Sequence, residues 1–569
     1  MAIRTPWPPL SALCVALLLA CMGTAPAQAQ LPTSLDALFF SERLPGTGTR
    51  LSALGGASLA GVADYGALYS NPAGLGYFES SELSGTFQTL LVNDEASYTT
   101  SFQQPELGDP LSSTTNNSSQ LRTGYGIGNA ALIYKVPTQR GSFVLGAATN
   151  ITRSFDRSVD YGNRNQLSSV SDIFPPLNDE VTVQRFDPGE TPEELFFGQQ
   201  VVVTDSAEYL IDFDFDGDGS IQRPLSYVAF QAFGIDFYPS VYDSTAGPAS
   251  GFLPVVPVGT QFQQNGRLSE SGSLREWSFG GAWEAEKNLM LGLSANIVSG
   301  TYDVQDTFEE IDDNDEAIGF NELSFTRRQT SELTGFNLRG GLSFQGSSFR
   351  VGVSVESPTW YSINDETSLQ MRTVFDNGDR FAYGDDSDEN VGRTEFEYRI
   401  NTPWRLGAGA SLDVLDATIL VDALFVDWTQ LSLSSSDDRG EFDDQNRLID
   451  DHFRPVVHAR AGIEYDFDPL TVRAGFAYQP SPVSLPDVSP EADADRNLDL
   501  QGTDAVTERT RYSPSLGLGY QVSEQLHFDL TWVQERFEDR YLPYVAPNAS
   551  YVNEDVVRNR IQVGLRYKF

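Results

Sequence analysis

The chain is 569 residues long and carries 79 acidic against 37 basic side chains, a formal net charge of −42. A field of that sign repels phosphate backbones, and the scarcity of basic blocks excludes nucleic acid as a partner. Two cysteines and three histidines (His452, His458 and His527) are too few and too scattered for a zinc enzyme.

The first segment, 1–29, reads as a secretory signal peptide. Arg4 gives a small positive start, Leu10 to Ala20 an apolar core, and Ala27-Gln28-Ala29 a cleavage site, so the mature chain is expected to begin at Gln30. The alternative is a lipobox at Leu18-Leu19-Ala20-Cys21 with Cys21 lipidated; Leu19 is larger than that box prefers. Cys14 and Cys21 both fall in this segment, so no thiol or disulfide is expected afterwards.

Residues 30–79 differ in kind. Ser34 is positioned to cap a short helix through Asp36, Leu38 and Phe39. A run of small residues, Leu54 to Asp64, leads into Ala67-Leu68-Tyr69-Ser70-Asn71-Pro72-Ala73-Gly74. It is too apolar for a disordered arm. Placed before the first strand, it is expected to sit as a hatch in a barrel lumen, the nearest surface able to bury it. On the bland reading of the motif, Pro72 stops a hatch helix and Gly74 turns the chain.

From residue 80 to 569 the pattern is period two. At the C-terminus Ile561, Val563, Leu565, Tyr567 and Phe569 alternate with Arg560, Gln562, Gly564, Arg566 and Lys568. Similar runs predict fourteen strands: 80–92, 123–136, 141–153, 275–284, 289–301, 335–346, 348–358, 401–413, 416–430, 455–466, 469–479, 511–521, 525–537 and 557–569. Tight connections alternate with long acidic ones, the longest about 154–274, as short periplasmic turns alternate with extracellular loops. No later stretch holds the roughly 20 apolar residues of a membrane helix. The fold expected is therefore all-β, a 14-stranded antiparallel transmembrane barrel in a Gram-negative type outer membrane. Trp360, Tyr361, Trp428, Trp532, Phe537, Tyr541 and Tyr544 near strand ends are expected to form an interfacial girdle. Acid on this scale resembles proteins of salt-loving organisms; an acidic, cation-binding outer face is the other reading.

The run ALGGASLAGVADYGALYSNPAGLG is similar to the N-terminal signature of the FadL/TodX outer-membrane transport proteins, in the form found in Bacteroidetes-like bacteria. The resemblance covers about residues 35–85, and the strand count extends it in architecture. It implies a barrel plugged by an N-terminal hatch that holds Asn71, Pro72, Ala73 and Gly74. It also implies passive uptake of hydrophobic small molecules such as long-chain fatty acids or aromatic hydrocarbons. The alternative is a FadL-like barrel serving as a scaffold or shuttle for protein secretion machinery. Other partners expected are outer-membrane lipid and the barrel-insertion machinery, with the chain a monomer.

Two site readings follow. Arg339, Arg350, Arg405, Arg460 and Arg473, with Arg566, fall at lumen-facing positions, where one or two could receive a carboxylate. The competing reading is a lattice of ion pairs with Asp413, Glu464 and Asp529 or with the hatch. Asp214, Asp216 and Asp218, followed by Gly219 and Ile221, resemble a calcium loop, though Leu225 stands where an EF-hand has its glutamate. No cofactor is required. An enzyme is not expected, because neither His458 nor His527 lies beside a nucleophile at the outer rim.

Overall fold

The computed structural model describes residues 32–102, 112–176, 178, 180–191, 195–196, 198–204, 207–213, 224–256, 260–384, 393–435, 442–483, 509–544 and 550–569. The leader and the calcium-loop aspartates Asp214, Asp216 and Asp218 lie outside these residues.

The alternating runs become fourteen antiparallel strands. The first six are β1 (Glu82–Phe102), β2 (Ser112–Val136), β3 (Phe143–Ser154, resuming as Arg157–Asn165), β4 (Phe262–Glu286), β5 (Leu289–Ile311) and β6 (Phe320–Gln345). Next come β7 (Phe349–Glu356, resuming as Trp360–Phe375), β8 (Arg393–Asn401 and Arg405–Val414), β9 (Ala417–Asp427 and Ser432–Ser435) and β10 (Pro455–Phe467). The last are β11 (Leu470–Gln479), β12 (Arg511–Gln521), β13 (Leu526–Tyr541) and β14 (Tyr551–Lys568). Each pairs with its neighbour, and β1 pairs with β14 from Glu82↔Lys568 to Thr99↔Tyr551, which closes the sheet.

The apolar set of each run points outward. Val351, Leu406, Phe528, Leu530, Val563 and Leu565 are all exposed on the outer wall. An exposed belt of this kind around a closed sheet is stable in lipid and not in water. Polar and small residues face in. The strands run well beyond the apolar stretches, so much of what reads as loop (93–102, 112–122, 302–311, 320–334, 360–375) is ladder. Above the membrane the outer face is wet and the buried inner face mixes apolar with polar side chains, so the clean alternation that marks a strand is lost there.

The described residues between 166 and 261 supply a cap. A three-stranded sheet (Thr182–Phe186, Glu208–Asp212, Gln199–Val203), a helix (Pro224–Gln231) and a hairpin (Ile235–Phe237 with Phe252–Pro254) pack on the upper barrel. Tyr98, Tyr161, Phe174, Phe213, Phe308 and Tyr544 belong to one buried core shared by cap and barrel.

The expected girdle is corrected in part. Trp360 is exposed, but Tyr361, Trp428, Phe537, Tyr541 and Tyr544 are buried inside. Tyr361 follows Trp360 and so points to the opposite face, and Trp428 sits on a 3-10 turn that interrupts β9. Asp413 is also relocated: it is exposed at a turn and accepts a hydrogen bond from Thr418, so it takes no part in the lumen lattice.

Leu565→Arg, central on the outward face of β14, is expected to lower folding stability in vesicles by about 2–4 kcal/mol. Reversible denaturant titration checks this, and a loss below about 1 kcal/mol would place that face outside the lipid core.

Candidate functional site

The hatch is built from short capped turns. Helix α1 (Ser34–Ser41) begins at Thr33, one residue before the expected cap, because Thr33 and Asp36 form a reciprocal capping box. Helix α2 (Thr49–Ala53) follows, then 3-10 turns Tyr65–Leu68 and Pro72–Tyr77. Pro72 therefore starts a turn instead of stopping one, as its fixed φ and missing N–H suit a first helical position. Asn71 is fully buried and joins three segments. Its Oδ1 accepts from Ala73 N (3.1 Å), and its Nδ2 donates to Leu59 O (2.7 Å) and to Leu342 O in β6 (3.1 Å).

Glycines on the inner wall let the hatch backbone lie against the strands. A Cβ at Gly475 would stand 2.1 Å from Gly55 N, and one at Gly292 would stand 2.2 Å from Ala73 N. Glycine at these two positions leaves room for that close approach.

Lumen side chains then clamp the hatch. Arg339 is buried, donates to Leu68 O, and pairs with Glu276 and Glu356. Arg350 donates to Gly61 O (3.0 Å), Arg405 to Ser41 O (2.7 Å) and Arg460 to Gly56 O (3.5 Å). Arg473 instead bridges Glu464 and Asp529, and Arg566 also pairs with Asp529. Sequence reasoning missed Asp422, whose Oδ2 accepts the N–H groups of Ser58 (2.6 Å) and Leu59 (2.8 Å). Hydrogen bonds to a charged group contribute about 1.5–3 kcal/mol each. Several in series hold the plug firmly while leaving each contact exchangeable.

Between hatch and wall lies a cavity with about 770 Å³ of unoccupied space, part of it open to solvent. Leu44, Leu59 and Tyr69 of the hatch face Arg405, Leu424, Trp428, His458, Arg460 and Arg511 of the wall. Trp428 Nε1, His458 Nδ1, Arg460 Nε and Gln479 Oε1 are buried without a hydrogen-bond partner among the described residues. Buried polar atoms without partners are costly, so this wall is suited to a polar group brought in from outside. Beside it, Leu38, Phe40, Phe155, Tyr361 and Tyr398 form an apolar, aromatic cluster with Trp428.

The wall itself is interrupted at Phe155-Asp156. Below this break β3 pairs with β2 from Asn129↔Asn150 to Val136↔Phe143. Above it, Arg157–Asn165 forms a ladder with β4 and swings inward, so that Arg157 reaches Glu554 of β14. It meets upper β2 through side chains, as in Asn116 Nδ2 to Gly162 O (2.6 Å). Upper β2 meanwhile exposes Leu121, Tyr125 and Ile127 beside the break.

No known family profile matches the chain, and no curated protein matches it. Its fold is similar to solved outer-membrane transporters. A Pseudomonas aeruginosa FadL homologue is 12% identical over 93% of this chain and 99% of its own, with a TM-score of 0.48. The P. putida toluene transporter TodX is 12% identical over 92% and 99%, at 0.46, and the Ralstonia pickettii toluene transporter TbuX 13% over 92% and 99%, at 0.41.

Glu42, at the end of α1, ties the hatch to Arg153 and Arg511. Burial pushes its carboxyl up, but Arg511 and Arg153 outweigh that and hold it at about 2, below the ordinary 4.5. The folded value is the lower one, so this contact contributes in full above pH 4.5 and is lost as pH falls toward 2. A spin label at Leu35→Cys is expected to keep constant mobility from about pH 8 to about pH 5 and to loosen below that. Loosening already above about pH 5 would contradict the assignment.

Proposed function

We propose that this chain is an outer-membrane channel for passive uptake of hydrophobic small molecules, with residues 33–78 as its gate. The observation that carries the reading is the cavity, which lies between a plug held by polar bonds and a wall whose lining sets Leu424 and Trp428 beside Arg405, Arg460 and Glu356. Such a lining suits an amphiphile more than a polar solute, since the tail can lie on Leu424, Trp428 and the aromatic cluster while a polar head meets Arg405 or Arg460. Long-chain fatty acids would use both kinds of contact, and aromatic hydrocarbons the apolar kind.

The break in β3 offers an exit. A ligand leaving sideways past Leu121, Tyr125 and Ile127 would enter the bilayer without returning its tail to water, which costs about 0.8 kcal/mol per CH₂.

Proteoliposomes test this with laurate and toluene as probes. Wild-type barrel is expected to speed laurate uptake over protein-free vesicles. Asp422→Ala, which removes two clamps on the hatch, is expected to raise that rate about tenfold, equivalent to about 1.4 kcal/mol. Absence of protein-dependent uptake of either probe would overturn the channel reading and favour the scaffold alternative.

A further inference from the structure

Four residues lie side by side on the strand wall of the cavity. Leu424 of β9 is opposite His458 of β10, and Gln479 of β11 is opposite Arg511 of β12. The ladder between β10 and β11 begins at Ala459↔Tyr478, so His458 and Gln479 face each other one pair further on. Neighbouring strands are about 4.8 Å apart, and the four side chains make one row across the lining. Trp428 stands at the upper end of β9, on the turn above Leu424.

The guanidinium groups of this lining are already taken up. Arg405 pairs with Glu356 at 3.0 Å, Arg509 with Asp539 at 2.7 Å, and Arg511 with Glu42. Arg460 stands opposite Asp422 and donates to Gly56 O at 3.5 Å. The Nε of Arg460 and that of Arg511 are left over, on groups whose charge is countered. Other polar atoms have nothing. Trp428 Nε1, His458 Nδ1 and Gln479 Oε1 are buried without a hydrogen-bond partner among the described residues. Gln479 is held by its Nε2, which donates to Arg43 O at 3.4 Å, so its Oε1 is the atom left to accept. Pro480 and Pro482, next in the lining, have no N–H to offer it.

We propose that this row is a hydroxyl site, and that the molecule taken up is an uncharged alcohol or phenol on an apolar body. This rests on the channel reading above and narrows its ligand from amphiphiles at large to one class. A hydroxyl is both donor and acceptor. It can donate to Gln479 Oε1 and accept from Trp428 Nε1, or from His458 where Nδ1 carries the ring proton, while its apolar body lies on Leu424 and the Trp428 ring. A carboxylate only accepts. It leaves Gln479 Oε1 unmet and brings a further anion to a lining that already holds Glu356 and Glu42. A plain hydrocarbon matches none of the three atoms. A site built to bond a hydroxyl rejects the analogue without it, because the buried polar groups then stay unpaired.

The test uses the full barrel in detergent micelles, with 4-pentylphenol, 4-pentyltoluene and 4-pentylbenzoate as probes, each affinity referred to partition into protein-free micelles. The first two differ only by hydroxyl against methyl at one position. Wild type is expected to bind pentylphenol at least about tenfold more tightly than either of the others. Gln479→Met, which removes the acceptor, is expected to bring the ratio of pentylphenol to pentyltoluene affinity down to within about threefold, and Trp428→Phe, which removes one donor, to lower it at least about twofold. Pentyltoluene binding also reports that each variant is folded. A purely structural role for these side chains lowers both affinities together and leaves the ratio alone, and that result would overturn the proposal. So would equal affinity of wild type for pentylphenol and pentyltoluene, or tighter binding of pentylbenzoate, while the channel reading stands in each case. If no probe binds any form, both fail.

Discussion

A backbone surrounded by lipid must satisfy every N–H and C=O from within the protein, and a closed sheet does this without an edge. Here the closing seam is the ladder between β1 and β14, Glu82↔Lys568 through Thr99↔Tyr551. Everything else follows from that ring. Once it is closed, successive side chains are divided between lipid and lumen, so Leu565 must be apolar while Gly564 and Arg566 need not be. A break in the ring of backbone bonds, above Phe155, is bordered by exposed apolar side chains of β2, which lipid can cover.

The inside of the ring poses the opposite problem. A lumen of this width must be filled or left to water, and the hatch fills it with small residues seated on wall glycines. Buried guanidinium groups need anions or carbonyl oxygens, and the hatch supplies both: Leu68 O to Arg339, Gly61 O to Arg350, Ser41 O to Arg405, and the Glu42 carboxylate to Arg153 and Arg511. The wall repays in kind through Asp422. In a chain of net charge −42, the arginines are concentrated where a plug has to be held.

The barrel was legible because its signal is repeated and local. Fourteen period-two runs, tight turns such as Glu286-Lys287-Asn288, and the aromatic end at Phe569 all state the same architecture. The burial of Leu54 to Asp64 was legible from composition, since an apolar run of small residues ahead of a strand is not suited to water. What stayed hidden depends on distant partners. Arg511 and Glu42 are 469 residues apart, and no local pattern joins them. Trp428 read as an interfacial aromatic because a 3-10 turn breaks the parity of β9 at that residue. The upper ladders were unreadable as strands because their inner face mixes apolar with polar side chains and is covered by a cap from a distant loop.

The central claim, lipid outside and a polar, plugged lumen inside, is tested most directly by site-directed spin labels placed one at a time along 404–412 in vesicles. With oxygen as the lipid-soluble relaxant and a nickel chelate as the aqueous one, the account predicts strict alternation. Labels at Leu406 and Leu412 should collide with oxygen, and labels at Arg405 and Ser411 should be shielded from it. Uniform oxygen contact along the stretch, or aqueous contact at Leu406 and Leu412, would contradict it.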